Sequence, residues 1–150
     1  YNPLVEGLWV IGIGNNKTRK RIAEEVLRGK RFISTFSANS ICHSSSNIGE
    51  GTQVMAGAVI QMGCKIGSHS VINTAASVDH DCELGKYSFI GPNATLCGGV
   101  TVGECSFIGA GATILPYIKI GKNCMIGAGS VVTKDIPDNS KAYGNPAKLK

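Results

Sequence analysis

From Ile48 to Val132 an aliphatic side chain stands at every sixth position without a break: Ile48, Val54, Ile60, Ile66, Ile72, Val78, Leu84, Ile90, Leu96, Val102, Ile108, Ile114, Ile120, Ile126 and Val132. A helix repeats its apolar face every ~3.6 residues and a strand every second residue, so neither accounts for a period of six. A parallel β-helix of hexapeptide repeats does, because each hexad supplies one short strand and one corner of a triangular coil. Fifteen strict hexads predict five coils of eighteen residues. Stacked at strand spacing, they form a prism roughly 24 Å long. The slot four residues after each aliphatic is small almost throughout, from Thr52, Ala58 and Cys64 to Cys124 and Ser130, with Val100 and Ile118 as exceptions. Large and small inward residues therefore alternate, and only a narrow prism fits them. Phe36 and Cys42 are already in phase, so the solenoid is expected to span residues 36–133.

The residue before each aliphatic points outward and sorts into three columns at period eighteen. The first reads Gln53, Val71, Phe89, Phe107, Met125; the second Val59, Ser77, Thr95, Thr113, Val131; the third Lys65, Glu83, Thr101, Lys119. Only the first is a continuous apolar stripe, which a monomer rarely exposes. It is predicted to pack against another subunit, and closed threefold symmetry suits a triangular prism. The third column is predicted to face solvent.

Before the repeats, residues 8–13 read as a short buried-type strand and Gly14-Asn15-Asn16 as a turn, with Asn16 as the N-cap. Lys17 to Arg28 reads as a helix with an apolar stripe of Ile22, Ala23, Val26 and Leu27. Gly29 stands where a helix end takes left-handed backbone, and 31–36 reads as the next strand. This β-α-β unit (1–35) is too small to fold alone and reads as the last piece of a sheet-and-helix domain. The chain begins with Tyr1, not Met, as a fragment of a longer product would. The Gly12-x-Gly14 pair has Lys17 where a dinucleotide fingerprint wants its third glycine. After Val132 the hexads stop. Lys134-Asp135-Ile136-Pro137-Asp138-Asn139 is turn chemistry, and 134–150 is expected to form an irregular tail over the last coil.

Charge is uneven. Residues 1–35 hold seven Lys/Arg against three Glu, and the remainder eight against seven acids. The basic start reads as a solvated helix face, and the near-neutral solenoid lacks the basic, aromatic-interleaved face that nucleic acid requires. No apolar run approaches a membrane span. The six cysteines form no C-x-x-C pair, and Cys64, Cys82 and Cys124 fill small slots of the hexad. All six read as reduced thiols of a cytoplasmic protein.

A prism of Ile and Gly is chemically inert, so any chemistry falls to polar corners. His43 and His69 read as surface residues. His80 differs, because Asp79, Asp81 and Glu83 lie within three residues of it. Neighbouring carboxylates raise its basicity, which suits a general base near neutral pH. An ordinary corner histidine is the plainer alternative. The three histidines do not stack in the repeat, so they make no zinc site of the kind that γ-type carbonic anhydrases hold. No nucleophile elbow or phosphate loop is present. A base without a nucleophile of its own suits direct transfer, with a bound acceptor attacking an activated acyl group.

Four stretches carry a family resemblance: residues 11–20 (IGIGNNKTRK), 72–82 (INTAASVDHDC), 96–100 (LCGGV) and 144–148 (GNPAK). Through them the chain resembles the hexapeptide-repeat acyltransferases, in particular the sialic acid O-acetyltransferases and bacillosamine-type sugar N-acetyltransferases. The resemblance implies a left-handed β-helix and homotrimers that bind acetyl-CoA in the groove between adjacent prisms. It makes His80 the general base, Asp81 the residue that orients or polarises it, and Asn73 an active-site residue near a sugar acceptor. Gly98, Ala110 and Ala128 match positions whose backbone lines the pantetheine channel. Lys134 and Lys148, by charge and location, are candidates for the CoA phosphates. Phe89 stands where some relatives carry a second histidine near the acetyl group. Relatives also have a complete N-terminal domain for a nucleotide-linked sugar, of which 1–35 matches the last unit. The implied function is acetyl-CoA-dependent acetylation of a sugar, at nitrogen or oxygen, without a metal. The alternative is a non-catalytic trimeric β-helix serving assembly or ligand binding.

Overall fold

In the computed structural model, which describes residues 7–150, the six-residue period becomes a triangular coil. Each hexad contributes a two-residue strand that pairs in parallel with the strand eighteen residues on, as Val54 does with Ile72 and Ile72 with Ile90. Three ladders result. The first face stacks eight strands from Thr35–Phe36 to Lys148–Leu149, the second six from Ile41–Cys42 to Val131–Val132, and the third five from Asn47–Ile48 to Lys119–Ile120. Two residues suffice for a strand here because one points in and the next points out.

The inward aliphatics form one continuous core; Ile60, Ile72, Ile90, Leu96, Ile108 and Ile114 have no exposure. Each such burial stabilises by ~1.5–3 kcal/mol before chain entropy is counted. Slot residues Ala58, Cys64, Ala76, Cys82, Ala94 and Ala112 are equally enclosed. At two of the serine slots a corner carbonyl one coil on accepts the hydroxyl proton: Ser106 Oγ donates to Gly121 O at 2.6 Å and Ser70 Oγ to Gly85 O at 3.2 Å. A hydroxyl thus sits in the core with its hydrogen bond made. From Gly51 to Gly129 every sixth residue has positive φ, whether or not it is glycine. The corner dictates the conformation, and the side chain there must tolerate it.

Beyond Val132 the ladder continues where an irregular tail is expected. Ile136 bridges Ile120, and Lys141–Ala142 pair with Met125–Ile126, a spacing of sixteen residues rather than eighteen. The two residues are lost in the short link between Val132 and Ile136, four positions where a hexad would take six. Ile136 and Ala142 are buried, and Lys148–Leu149 closes the end antiparallel to Ala142–Tyr143.

The N-terminal unit is β1 (Leu8–Trp9), α1 (Asn16–Arg21) and β2 (Arg31–Phe32), with β1 and β2 parallel. Both strands are shorter than the sequence suggests, because Thr35–Phe36 leaves β2 to join the prism as its first rung. The helix holds α geometry only to Arg21 and widens to a π-helical turn over Ile22–Val26. Ala23 and Leu27 face inward as expected, but Val26 is exposed. The N-cap is Asn15, whose side chain accepts from Thr18 N at 2.9 Å, and not Asn16. Asn16 is buried and donates from Nδ2 to the carbonyls of Cys105 and Ser106.

The basic start is also more than a solvated face. Arg19 is completely buried, with its guanidinium wedged between the turn before α1 and the prism. This docking changes the meaning of the first-face stripe. Gln53 and Val71 are buried within one chain, and Gln53 Nε2 donates to Ile11 O at 2.8 Å. The lower part of the stripe is thus an intrachain interface; Met125, at its upper end, remains 43% exposed. The third face is open, with Lys65 and Glu83 paired at 2.7 Å on the surface.

His69 is another correction. It is buried, edge-on to Phe32 at 4.5 Å and stacked on Tyr87 at 5.2 Å, because its corner is roofed by the N-terminal unit. Burial holds its pKa below the ordinary 6.5. In the window between that lowered value and 6.5, the unfolded chain binds a proton that the folded chain refuses, so stability rises with pH there and levels off above it. Denaturation midpoints are expected to fall on acidification below pH ~6.5. The contribution should vanish in His69→Phe, and an identical pH profile for the two proteins would contradict it.

Candidate active site

Three corners separate the faces, and the predicted residues fall on different ones. His80, Asp81, Gly98 and Lys134 lie on the corner between the second and third faces. His80, Gly98 and Lys134 belong to a single column spaced by multiples of eighteen. Asn73, Ala110 and Ala128 lie on the corner between the first and second faces, Phe89 on the first face, and Lys148 in the closing strand. One chain therefore does not bring the whole set together.

At the His80 corner the chain turns through Asp81, whose φ is +57°. Asp79 Oδ1 accepts from the His80 backbone N–H at 2.8 Å and fixes the entry to the turn. Adjacent side chains then curl onto the same side, and His80 Nδ1 lies 3.0 Å from Asp81 Oδ2. This hydrogen bond, together with the charges of Asp79 and Asp81, raises the His80 pKa above 6.5. With Nδ1 engaged, Nε2 is the nitrogen left to take a proton. The His80 side chain is 47% exposed, so within one chain nothing excludes water from it.

Around the other predicted residues, Asn73 Oδ1 accepts from Thr74 N at 2.7 Å and is half-buried at its corner. Phe89 stacks on Phe107 with ring centres 4.7 Å apart and reaches back toward Gly14. Ala110, Ala128, Lys134 and Lys148 are exposed. His43 is exposed and far in register from buried His69; among the described residues no three His, Cys, Asp or Glu side chains converge on a metal position.

A feature absent from the sequence reading is a cleft of about 380 Å³ where the Gly14–Lys17 turn overhangs the upper first face, with Phe107, Met125, Asn123 and Lys141 among its walls. It lies on a different side of the prism from the His80 corner. The only sequence signal for it is the apolar column Phe89, Phe107, Met125 meeting the Asn-Asn-Lys turn, and that pairing required the docking to be seen.

The sequence matches the family described as bacterial transferase hexapeptide (six repeats), at residues 63–98, 81–116 and 99–134. Among solved structures it is similar to the perosamine N-acetyltransferase PerB of Caulobacter crescentus in complex with CoA and GDP-perosamine. That match has 40% identity and a TM-score of 0.92 over 94% of this chain and 69% of that one. The chain belongs to the hexapeptide-repeat acyltransferases. It shares their left-handed parallel β-helix. It is likewise similar to the acetyltransferase domain of PglB from Neisseria gonorrhoeae, at 38% identity and TM-score 0.92 over 94% of this chain and 69% of that one. A structure of that domain is in complex with acetyl coenzyme A. WeeI from Acinetobacter baumannii matches at 29% identity and TM-score 0.93, over 99% of this chain and 73% of its own. No curated protein matches the sequence significantly. Among the described residues no helix is long and apolar enough to cross a membrane.

Proposed function

We propose that this protein transfers acetyl from acetyl-CoA to the amine of a nucleotide-linked amino sugar, with His80 as general base. The observation that carries the reading is the His80–Asp81 pair, which engages Nδ1 and leaves Nε2 as the nitrogen to take a proton. Nε2 takes a proton from the acceptor amine as the nitrogen lone pair attacks the thioester carbonyl carbon. The tetrahedral adduct collapses with cleavage of the C–S bond, and the imidazolium returns the proton to the departing sulfur. Asp81 keeps the imidazole in one tautomer and stabilises its transient charge. Structural neighbours that hold CoA with GDP-perosamine, including one with a single histidine replaced by asparagine, support an amino-sugar nucleotide as acceptor.

Asn73 sits near the acceptor in this reading, and the backbone at Gly98, Ala110 and Ala128 lines the pantetheine. Lys134 and Lys148 serve the CoA phosphates. Because these residues occupy two corners, a second copy has to complete the site. In a cyclic trimer one face of each chain meets a different face of the next. That arrangement turns the exposed His80 corner toward a neighbour's first face and its cleft, and it excludes the water that would otherwise reach the base. Reducing surroundings such as the cytoplasm suit the six free thiols.

The test is a screen of nucleotide-linked amino sugars, free amino sugars and sialic acids with acetyl-CoA, read as thiol release and product mass, with light scattering on the same sample. Turnover with an amino-sugar nucleotide and a mass of three chains are expected. A single-chain mass, or no thiol release with any acceptor despite measurable CoA binding, would overturn the proposal. Trimers without any CoA affinity would favour the non-catalytic assembly instead.

A further inference from the structure

Each corner of the prism rests on the corners one rung before and one rung after it, so what a corner can carry is decided eighteen residues away. At the corner that holds the pair, Asp81 follows Gly63 by one rung, and His80 is followed one rung later by Gly98. A Cβ on Gly63 would stand 2.3 Å from Asp81 Oδ1. A Cβ on Gly98 would stand 2.5 Å from His80 Nε2 and 2.6 Å from its Cε1. The carboxylate and the imidazole thus fill the volumes that side chains at 63 and 98 would need.

We infer that Gly63 and Gly98 are positioning residues for acetyl transfer, the first seating the Asp81 carboxylate and the second the His80 imidazole. The inference rests on the reading of His80 as the base and extends it to Gly63 and, beside the pantetheine-lining role proposed for its backbone, to Gly98. Close approach to the next rung recurs along the coil, as at Gly51 against His69 and Gly99 against Tyr117, and what distinguishes Gly63 and Gly98 is that the groups seated on them are Asp81 and His80. Other corners leave room. Gly57, whose φ of +68° is close to the +71° of Gly63, would place a Cβ in ordinary contact with Ala75 at 3.7 Å, and Gly111 would place one in open space.

The two seats act in series. With Oδ1 laid over Gly63, Asp81 turns Oδ2 toward His80 Nδ1 at 3.0 Å. That bond swings the ring so that Nε2 lies over Gly98, where no side chain displaces it. A methyl group at 63 collides with the carboxylate and breaks the bond to the imidazole. A methyl group at 98 leaves the bond possible but lifts the ring away from its place. The first change acts on basicity and the second on position.

The experiment compares Gly63→Ala, Gly98→Ala and Gly57→Ala by NMR titration of the His80 imidazole in the whole chain and by thiol release across pH. Gly57→Ala introduces the same backbone strain as Gly63→Ala without the collision, so it controls for folding. It is expected to titrate and turn over as wild type. Gly63→Ala should lower the His80 midpoint toward 6.5 and move the acidic limb of kcat/KM with it. Gly98→Ala should lower kcat at saturating acetyl-CoA by about 10²-fold, the effect of misplacing a reacting group by ~1 Å, while the intrusion of its methyl on the pantetheine is read separately as a rise in KM. Should Gly98→Ala fold poorly, the stability cycle with His80→Ala decides: the substitution must cost less once the imidazole is gone. Unaltered titration and kcat in both Gly63→Ala and Gly98→Ala, or an equal loss in Gly57→Ala, would sink the seating alone. Full activity in His80→Ala would sink the underlying functional reading, whatever the glycine variants do.

Discussion

His80→Ala is expected to lower acetyl transfer about 10²–10⁴-fold, measured as thiol release from acetyl-CoA at saturating acceptor. The loss should lie in kcat, because the imidazole acts on the proton that moves in the transition state and contributes little to holding either substrate. Only the neutral ring accepts a proton, and the hydrogen bond that Nδ1 donates to the Asp81 carboxylate raises the pKa above 6.5. Activity of the wild type should therefore climb with pH through that raised value and then level. In Asp81→Asn the main cause of the rise is removed, so the acidic limb should move to lower pH while the plateau drops through lost orientation. Near-wild-type transfer by His80→Ala, or an acidic limb that ignores Asp81→Asn, would end the assignment.

Arg19→Ala is expected to destabilise the protein by about 3 kcal/mol or more, since it strands several buried acceptors at once. The guanidinium Nε donates to His69 O at 2.7 Å, and the two terminal nitrogens reach the carbonyls of Ile13, Gly14, Tyr87 and Ser88 and the Asn16 side chain. No carboxylate is among these partners. Burial lowers its pKa to about 10, which leaves it charged at neutral pH. One planar fork thus ties the turn before α1 to two successive corners of the prism. Arg19→Lys keeps the charge but cannot span both sides, so it should recover only part of the loss. Urea denaturation with amide exchange at residues 11–27 measures both quantities. A change within about 0.5 kcal/mol, the range of ordinary surface substitutions, would show that the latch carries no weight.

These two residues mark how legible the chain is. His80 stands out in the sequence because carboxylates cluster around it, and the structure places one of them, Asp81, against the ring. Arg19 does not stand out, because a lysine- and arginine-rich helix start looks alike whether one of its cations is buried or none is. His69 and Asn16 escaped for the same reason: each owes its burial to a contact with residues tens of positions away. Gly63 looks like any other glycine of the repeat, and Gly98 is marked only for its backbone by resemblance, until the adjacent rung shows which side chain each one seats.

The six-residue period by itself determined the triangular coil, its inward aliphatics, its small slots and the open third face. It could do so because a solenoid is held by contacts one rung apart, and a rung is a fixed interval of sequence. The tertiary structure alone decided how the N-terminal unit docks, which part of the apolar stripe it covers, and that the chain goes on coiling past Val132 at a shortened interval. Those outcomes depend on shape complementarity between segments with no common period, and no spacing in the sequence encodes them.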